Sequence, residues 1–231
     1  MSAKMSQQKR NTAMEKASLS EDSLLISYLT LRKVVGILGM ALPFVVFLGG
    51  KFIFKTDIQS SISSYYYTGM RDVFVGILWT IGFFLYSYRG YGPIDNITGN
   101  LACVFAVMVS LFPTTADGVN SATAELIGAV HLIFAALFFL TLSFFSLALF
   151  PRTNVNKQFT MEQAQRNIVY KVCGYVMLDC IVLMAIYKFW VEGAAPGLQA
   201  YEPVFWLEAA AIFAFGVSWF TKGEAILADK K

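Results

Sequence analysis

Two residues in apolar surroundings, His131 and Glu208, have side chains that could move a proton. His131 is the one histidine of the chain, and an imidazole is well suited to donate or accept a proton near neutral pH. Glu208 lies in another apolar segment, where a carboxylate costs roughly 2.5–3.5 kcal/mol unless it finds a partner. The two residues are the candidate catalytic pair, with His131 as proton donor or acceptor and Glu208 as the group that orients it.

A polar segment upstream could bind the charged part of a ligand. The guanidinium of Arg71 suits a phosphate or a carboxylate, and Asp72 could hold that guanidinium in place. A Ser- and Tyr-rich run before this pair would line the entrance to a site, and acidic residues flank the start of a later apolar segment. The candidate ligand-binding residues are Ser64, Tyr65, Tyr66, Tyr67, Arg71, Asp72, Asp117 and Glu125.

Each of these residues also has a purely structural explanation. The tyrosines suit an interfacial aromatic belt. Asp72 suits the positive end of a helix dipole, and Arg71 could reach lipid headgroups. Glu125 could be a carboxylate in water at the end of a helix. The sequence leaves the structural and the functional explanations open.

The structural alternative for His131 and Glu208 is a direct hydrogen bond that joins two helices. Small residues beside them, such as Gly128, would let the two helices approach closely. We therefore predict that His131 and Glu208 are neighbours. The alternative pairs His131 with Asp72 and leaves Arg71 to pair with Glu208.

Asp179 lies deeper, near the middle of a further apolar segment. One interpretation is a structural aspartate that is protonated or hydrogen-bonded. The other is a mid-membrane group that relays protons, a role that ionisable residues inside membranes often have.

The composition places all of these residues in a membrane protein. Apolar residues make up 57% of the 231-residue chain and charged residues 14%, whereas a soluble domain is about 25% charged. The charges come in short bursts between apolar runs, as is typical of a polytopic membrane protein. The predicted fold class is therefore all-α, and the predicted location is the plasma or inner membrane of the cell.

Six apolar segments could cross the hydrocarbon as helices, which takes roughly 20 residues each. Polar connections separate them, including residues 94–96 before the third and 152–167 before the fifth. The predicted six-helix transmembrane domain covers residues 23–225, after a disordered cytoplasmic tail over 1–22 and before a second cytoplasmic tail over 226–231. The predicted helices cover residues 34–54, 72–88, 97–112, 126–150, 168–190 and 204–221.

Basic residues predict the orientation of these helices. With the N-terminus in the cytoplasm, fourteen of the 18 Lys and Arg residues fall on the inner side and four on the outer side. Cytoplasmic loops carry the excess of positive charge, so both termini are predicted to be cytoplasmic. The candidate site residues then share the outer leaflet, apart from Asp179 near mid-membrane.

Several function classes find no support in the sequence. The net charge of +3 is small and spread over many loops, which argues against nucleic-acid binding. One histidine and three cysteines without C-x-x-C spacing argue against a metal site, and no nucleotide-binding motif points to a cofactor. No nucleophile–base spacing is present either, so the sequence leaves open whether the protein is an enzyme.

Several motifs resemble a prokaryotic six-helix membrane family of unknown function. The first is S-x-S-S-Y-Y-Y-T-G-x-R-D-x-F-V-G over residues 61–76. The others are Asp95-Asn96, Leu111-Phe112-Pro113 and the single His131. This resemblance covers roughly residues 30–225 and implies a six-helix membrane fold.

The layout is also distantly similar to the DRAM-like autophagy-modulator and glycolipid-anchor-remodelling membrane proteins. Those proteins have a polar first outer loop, a histidine early in the fourth helix and a Glu near the start of the sixth. Residues 64–69, His131 and Glu208 occupy the matching positions here. This similarity implies a connection to membrane lipids.

The leading functional interpretation is a polar pocket, open to the outer leaflet, that binds or modifies a lipid headgroup or a lipid-linked substrate. Membrane lipids are then the expected partners, and another membrane protein is a further one. The alternatives are a small-solute or proton-coupled transporter that uses Asp179, and a non-catalytic membrane scaffold. Convergence of the four polar residues His131, Glu208, Arg71 and Asp72 on one outward cavity would favour the lipid site.

Overall fold

The computed structural model describes residues 28–116, 118–119, 121–152 and 160–228. Within these ranges every regular element is helical and no strand occurs, so the predicted all-α class is confirmed. Two short 3-10 helices, Ser63–Tyr67 and Pro196–Tyr201, lie in connections. The described part of the chain has six long helices: α1 (Tyr28–Phe54), α2 (Arg71–Ser87), α3 (Pro93–Leu111), α4 (Ala122–Leu149), α5 (Met161–Val191) and α6 (Pro203–Lys222).

Consecutive helices run in opposite directions, as contacts between their ends demonstrate. The connections after α1 and α3 meet where the Tyr67 hydroxyl donates to the Thr114 oxygen at 2.6 Å; we call this the first-loop end. The start of α3 and the connection after α4 meet at the opposite end, where Arg152 Nη1 lies 3.6 Å from Asp95 Oδ2; we call this the second-loop end. α6 begins at the first-loop end and finishes at the second-loop end.

Five of the helices, α1 and α3 to α6, are long and apolar enough to cross a membrane. α2 has 17 residues, which is about 26 Å at the helical rise and at the lower limit for a span. The helices are those of a multi-pass membrane protein. The structure thus supports five of the six predicted spans by length and composition.

Four helices, α1, α3, α4 and α5, begin four or more residues earlier than predicted. For α3 and α5 the reason is a polar first turn. α3 starts at Pro93, so the predicted connection 94–96 is its first turn. Proline suits this position because the first N–H of a helix needs no partner within it. α5 starts at Met161 after the side chain of Thr160 caps its first turn, so residues 161–167 are helical rather than part of a connection.

The first and last helices pack backbone to backbone through glycines. A Cβ atom at Gly216 would lie 2.5 Å from the Met40 nitrogen and 2.7 Å from the Gly36 oxygen. A Cβ atom at Gly36 would lie 2.5 Å from the Phe220 nitrogen. Small residues allow such close approach of membrane helices, so α1 and α6 are direct neighbours.

Aromatic side chains fill the core at the second-loop end. The side chain of Trp219 is 0% exposed, and its ring centroid lies 5.2 Å from Tyr88, 5.4 Å from Phe145 and 5.1 Å from Phe150. Aromatic pairs at such distances add to the energy of burial. The cluster therefore holds α6 against the ends of α2 and α4.

Candidate functional site

The Ser- and Tyr-rich run folds into a compact segment rather than an open loop. The Ser61 and Ser64 hydroxyl oxygens lie 2.8 Å apart, and the Ser64 N–H donates to Ser61 Oγ at 2.9 Å. These bonds form the start of the 3-10 helix Ser63–Tyr67. Ile62 and Tyr65 are 0% and 1% exposed, so the segment is buried in the bundle. We call residues 60–70 the plug.

The plug is fastened to two other parts of the bundle. The Ser63 N–H donates to Glu208 Oε2 at 3.1 Å, and the rings of Tyr65 and Phe205 lie 6.3 Å apart. Both contacts join the plug to α6. The hydrogen bond from Tyr67 joins it to the connection between α3 and α4.

The three predicted tyrosines differ in their surroundings. Tyr65 is buried, Tyr66 is partly buried, and Tyr67 is 49% exposed. Burial raises the pKa of the Tyr65 hydroxyl. Desolvation, together with the neighbouring Tyr66, raises the pKa of Tyr67. Both phenols therefore stay protonated at neutral pH, as the hydrogen bond that Tyr67 donates requires.

Arg71 and Asp72 form a pair at the protein surface. Arg71 Nε lies 3.4 Å from Asp72 Oδ1, and the two side chains are 57% and 92% exposed. The Arg71 guanidinium also lies 5.8 Å from the centre of the Tyr66 ring. Exposed ion pairs contribute about 0–1 kcal/mol, and this pair lines neither of the cavities that Glu208 borders.

His131 completes the end of α3. Its Nδ1 lies 2.7 Å from the Phe112 oxygen and 3.2 Å from the Val109 oxygen. Both oxygens are acceptors, so Nδ1 carries a proton and donates it to them. The Val109 oxygen would normally bond to the N–H four residues on, but Pro113 has none. The buried imidazole, 2% exposed, supplies the missing donor.

The predicted contact between His131 and Glu208 is therefore wrong, because the hydrogen bonds of the described residues give each a separate backbone partner. Gly128 makes room for Thr115 of the α3–α4 connection rather than for α6. The alternative pairing of His131 with Asp72 is wrong as well, because Asp72 is exposed at the surface.

Glu208 borders two cavities, which also share the lining residues Ala135 and Phe139 of α4. One is a core cavity of about 30 Å³ between the plug and the bundle, and its walls include Leu42, Ile62 and Phe74. The other is a cavity of about 330 Å³ between α4, α5 and α6, which we call the lateral cavity. The second volume falls in the range of small-molecule sites.

The lateral cavity is apolar and opens on the outside of the bundle. Lys188 and Glu208 are its two charged lining residues, and Lys188 Nζ lies 2.8 Å from Glu192 Oε2. Leu132 and Phe189 at its edge are 51% and 74% exposed. The other lining residues are Ile133, Ala135, Ala136, Phe139, Ile181, Met184, Ala185 and Val204.

The remaining predicted residues lie elsewhere. Glu125 is exposed in the first turn of α4. Asp179 is exposed on α5, beside Tyr175 and Val182, which are 60% and 55% exposed. Neither carboxylate lines a cavity that Glu208 borders, and Asp117 falls outside the described residues.

The four polar residues that could have formed one site do not converge. Only Glu208 reaches the lateral cavity, while His131 and the Arg71–Asp72 pair lie apart from it. Lys188 and the small residues Ala136 and Ala185, which leave the space between α4 and α5, were not among the predicted site residues. The sequence signal for the lateral cavity was the presence of small residues at similar depth on two helices.

The described residues include no group of three or more His, Cys, Asp or Glu side chains that could hold a metal ion. Comparisons with protein-family models, with curated proteins and with solved structures found no match. They neither support nor contradict the resemblance to the six-helix and DRAM-like proteins.

Proposed function

We propose that the protein binds a membrane lipid, or a similar amphiphile, in the lateral cavity. The observation that carries this proposal is the cavity itself, about 330 Å³ with apolar walls and a mouth on the bundle surface. A ligand could enter sideways from the bilayer without crossing water. The long apolar walls suit an acyl chain, which buries apolar surface without needing hydrogen bonds.

The two charged residues would fix the polar part of the ligand. Lys188 is 53% exposed and paired only with the neighbouring Glu192 among the described residues, so its ammonium can turn to a phosphate or carboxylate. The Glu208 carboxylate accepts from the Ser63 N–H of the plug, and in this proposal it also accepts from a ligand hydroxyl or amide. Binding rather than catalysis is proposed, because these two are the only titratable side chains among the described lining residues.

The proposal includes six spans with both termini in the cytoplasm. α1 finishes at the first-loop end and α3 begins at the second-loop end, so α2 has to cross between them. The lateral cavity then lies in the outer half of the bilayer, because its α6 residues Val204 and Glu208 follow the first-loop end of that helix. The positive-inside bias supports this orientation.

A substitution that fills the lateral cavity, Ala136→Trp, tests the proposal by its effect on lipid labelling. The purified protein in liposomes is irradiated with a phospholipid that carries a photoreactive diazirine on its acyl chain. We expect labelling of α4 or α5 peptides near the cavity, and a several-fold loss with Ala136→Trp. Ala210→Trp is the matched control, because Ala210 is exposed on α6 and outside the lateral cavity. Equal labelling of both variants and the wild type would reject the proposal.

A second candidate function, binding of a partner membrane protein, is favoured by the exposed Asp179. Asp179 lies eight residues from Lys171 and nine from Lys188, which is about 12 and 14 Å along the helix. A carboxylate at that depth facing lipid costs roughly 2.5–3.5 kcal/mol. A partner helix with a Lys or Arg at the same depth would remove this cost. The transport alternative gains no support, since Asp179 lines neither cavity beside Glu208.

A synthetic transmembrane helix of Leu and Ala with one central Lys tests this candidate. Energy transfer between the labelled peptide and the protein in liposomes is expected for the wild type and for Asp179→Glu, and lost for Asp179→Leu. A peptide with Leu in place of the Lys is the control. Equal binding of both peptides, or a homodimer formed through α5, would reject a basic partner.

A further inference from the structure

Four basic side chains meet in a separate cavity at the second-loop end. The cavity has a volume of about 80 Å³ and is lined mainly by polar groups. Its cations come from different parts of the chain: α1, the connection after α4, α5 and α6. They are Arg32, Arg152, Arg166 and Lys222. In the sequence, these residues served only as signals of orientation.

Two of the cations are held firmly by the surrounding chain. Arg166 is 8% exposed, and its Nη1 donates to the Leu227 oxygen at 2.6 Å. Lys222 Nζ donates to the Phe150 oxygen at 3.0 Å and lies 5.8 Å from the centre of the Tyr170 ring. The positions of both charges are therefore fixed before any ligand arrives.

Arg32 has donor capacity to spare. Its Nε is buried and has no hydrogen-bond partner among the described residues, and its Nη1 reaches the Lys222 oxygen only at 3.5 Å. Its guanidinium lies 4.4 Å from the centre of the Tyr28 ring. Stacking positions the guanidinium but leaves its in-plane N–H groups available.

Among the described residues, acidic side chains offset only part of this positive charge. Glu224 is the one acidic side chain among the described lining residues. Asp95, which is 0% exposed, lies 3.6 Å from Arg152 and behind the cavity wall. Within this set, four basic side chains face two carboxylates. Gathering like charges in a poorly hydrated place is unfavourable unless an anion completes the arrangement.

We propose that this cavity binds a phosphate group. A phosphate presents several acceptor oxygens in different directions, and the four cations approach from different elements. Arginine is the residue best suited to hold such an anion with paired donors. The phosphate is either the headgroup of a phospholipid in the leaflet at this end or a soluble phosphate compound. This site lies at the opposite end from the lateral cavity and does not depend on the function proposed for it.

Thermal unfolding of the full chain in a non-ionic, phosphate-free detergent buffer tests the proposal with two probes. One probe is inorganic phosphate and the other is dioctanoyl phosphatidylglycerol, with dioctanoylglycerol as its phosphate-free control. We expect at least one phosphate probe to raise the Tm in a saturable way. Arg32→Met and Lys222→Met should weaken the apparent Kd by about tenfold or more, since hydrogen bonds to charged groups are strong.

Lys171→Met is the matched control, because Lys171 is an exposed cation of α5 near the same end and outside the cavity. It should bind both probes like the wild type. The shift of each variant is measured from its own Tm without a probe, because Arg32→Met removes a like charge but also the contacts of Arg32 with Tyr28 and the Lys222 oxygen. If Lys222→Met does not fold, Arg32→Met alone decides the result.

The two probes distinguish the source of the phosphate. Saturable stabilisation by inorganic phosphate indicates a soluble phosphate compound. Stabilisation by the phospholipid alone, lost in Arg32→Met but kept in Ala136→Trp, indicates a headgroup and excludes the lateral cavity as its cause. No Tm shift of the wild type with either phosphate probe, or equal shifts in wild type and Arg32→Met, would overturn the proposal.

Discussion

Single polar side chains in this protein satisfy backbone groups where elements end. His131 donates to carbonyl oxygens at the end of α3, Glu208 accepts from the plug, and Lys222 donates to the Phe150 oxygen after α4. Backbone groups without partners are costly in a membrane, where water cannot replace them. Each of these side chains therefore joins one element to the end of another.

Replacing His131 tests its role as the missing donor for α3. His131→Ala should lower the free energy of unfolding by about 1–3 kcal/mol, because it leaves buried carbonyl oxygens without a partner. His131→Asn should recover most of this loss, since an amide nitrogen can take the place of Nδ1. Thermal unfolding in detergent measures both variants.

Photolabelling of the same two variants separates structure from catalysis. His131 is not a lining residue of the lateral cavity, so folded His131→Asn protein should take up the photoreactive lipid like the wild type. A stable His131→Asn variant that no longer binds lipid would contradict the structural role.

The sequence predicted the end of the bundle near which these residues lie but not their partners. Counting residues from the start of α4 and α6 places His131 and Glu208 correctly near the first-loop end. Which way each side chain points depends on the rotation of its helix, and the packing of neighbouring helices sets that rotation. Thr115, for instance, occupies the space beside Gly128 that we expected α6 to use. Partners in a bundle therefore need the three-dimensional packing.

At the scale of the helices, the contact between α1 and α6 depends on the absence of side chains. Gly216→Ala places a methyl group against backbone atoms of Gly36 and Met40, which cannot move aside without shifting a helix. We expect a loss of about 1–3 kcal/mol, as for other overpacked cores. Unfolding in mixed micelles with an increasing fraction of SDS measures this loss in the free energy of unfolding.

Gly76→Ala is the matched control for this prediction. Gly76 also lies in a long helix, α2, but a Cβ atom there would meet nothing within 4 Å. The substitution should be neutral or stabilise by up to about 1 kcal/mol, because alanine favours the helix. A similar loss for both alanine variants would show that close packing is not the cause.

The apolar centres of the helices were predictable, and their polar ends were not. Roughly 20 apolar residues in a row indicate a span whatever its neighbours are. The first turns of α3 and α5 are polar, and only local signals mark them: Pro93 at the first position of α3 and the capping Thr160 before α5. These two signals predict the observed starts of α3 and α5.

At the scale of the whole molecule, the two ends of the bundle differ in charge. The second-loop end gathers the four cations of the phosphate cavity, whereas the lateral cavity has one Lys and one Glu. Under the positive-inside rule this difference favours the proposed orientation, in which the second-loop end faces the cytoplasm. The orientation and the proposed phosphate site thus depend on the same residues.

Cysteine labelling in intact cells tests this orientation. Gly92 and Gly193 lie in connections at opposite ends, and a Cβ atom at either would meet nothing within 4 Å. In a chain with Cys103, Cys173 and Cys180 replaced by Ala, a membrane-impermeant maleimide should label Gly193→Cys from outside and leave Gly92→Cys unlabelled until the cells are opened. Labelling of Gly92→Cys in sealed cells would reverse the orientation.

The last helix holds early segments of the chain in place, and this affects how the protein is made. Gly36 and Ser63 leave the ribosome long before their partners Gly216 and Glu208. Until α6 is inserted, α1 lacks the neighbour that fits its glycines and the plug lacks its acceptor. The bundle can close only when synthesis is nearly complete. A chain that ends before α6 therefore exposes its first helix and its plug to the proteases that remove unfinished membrane proteins.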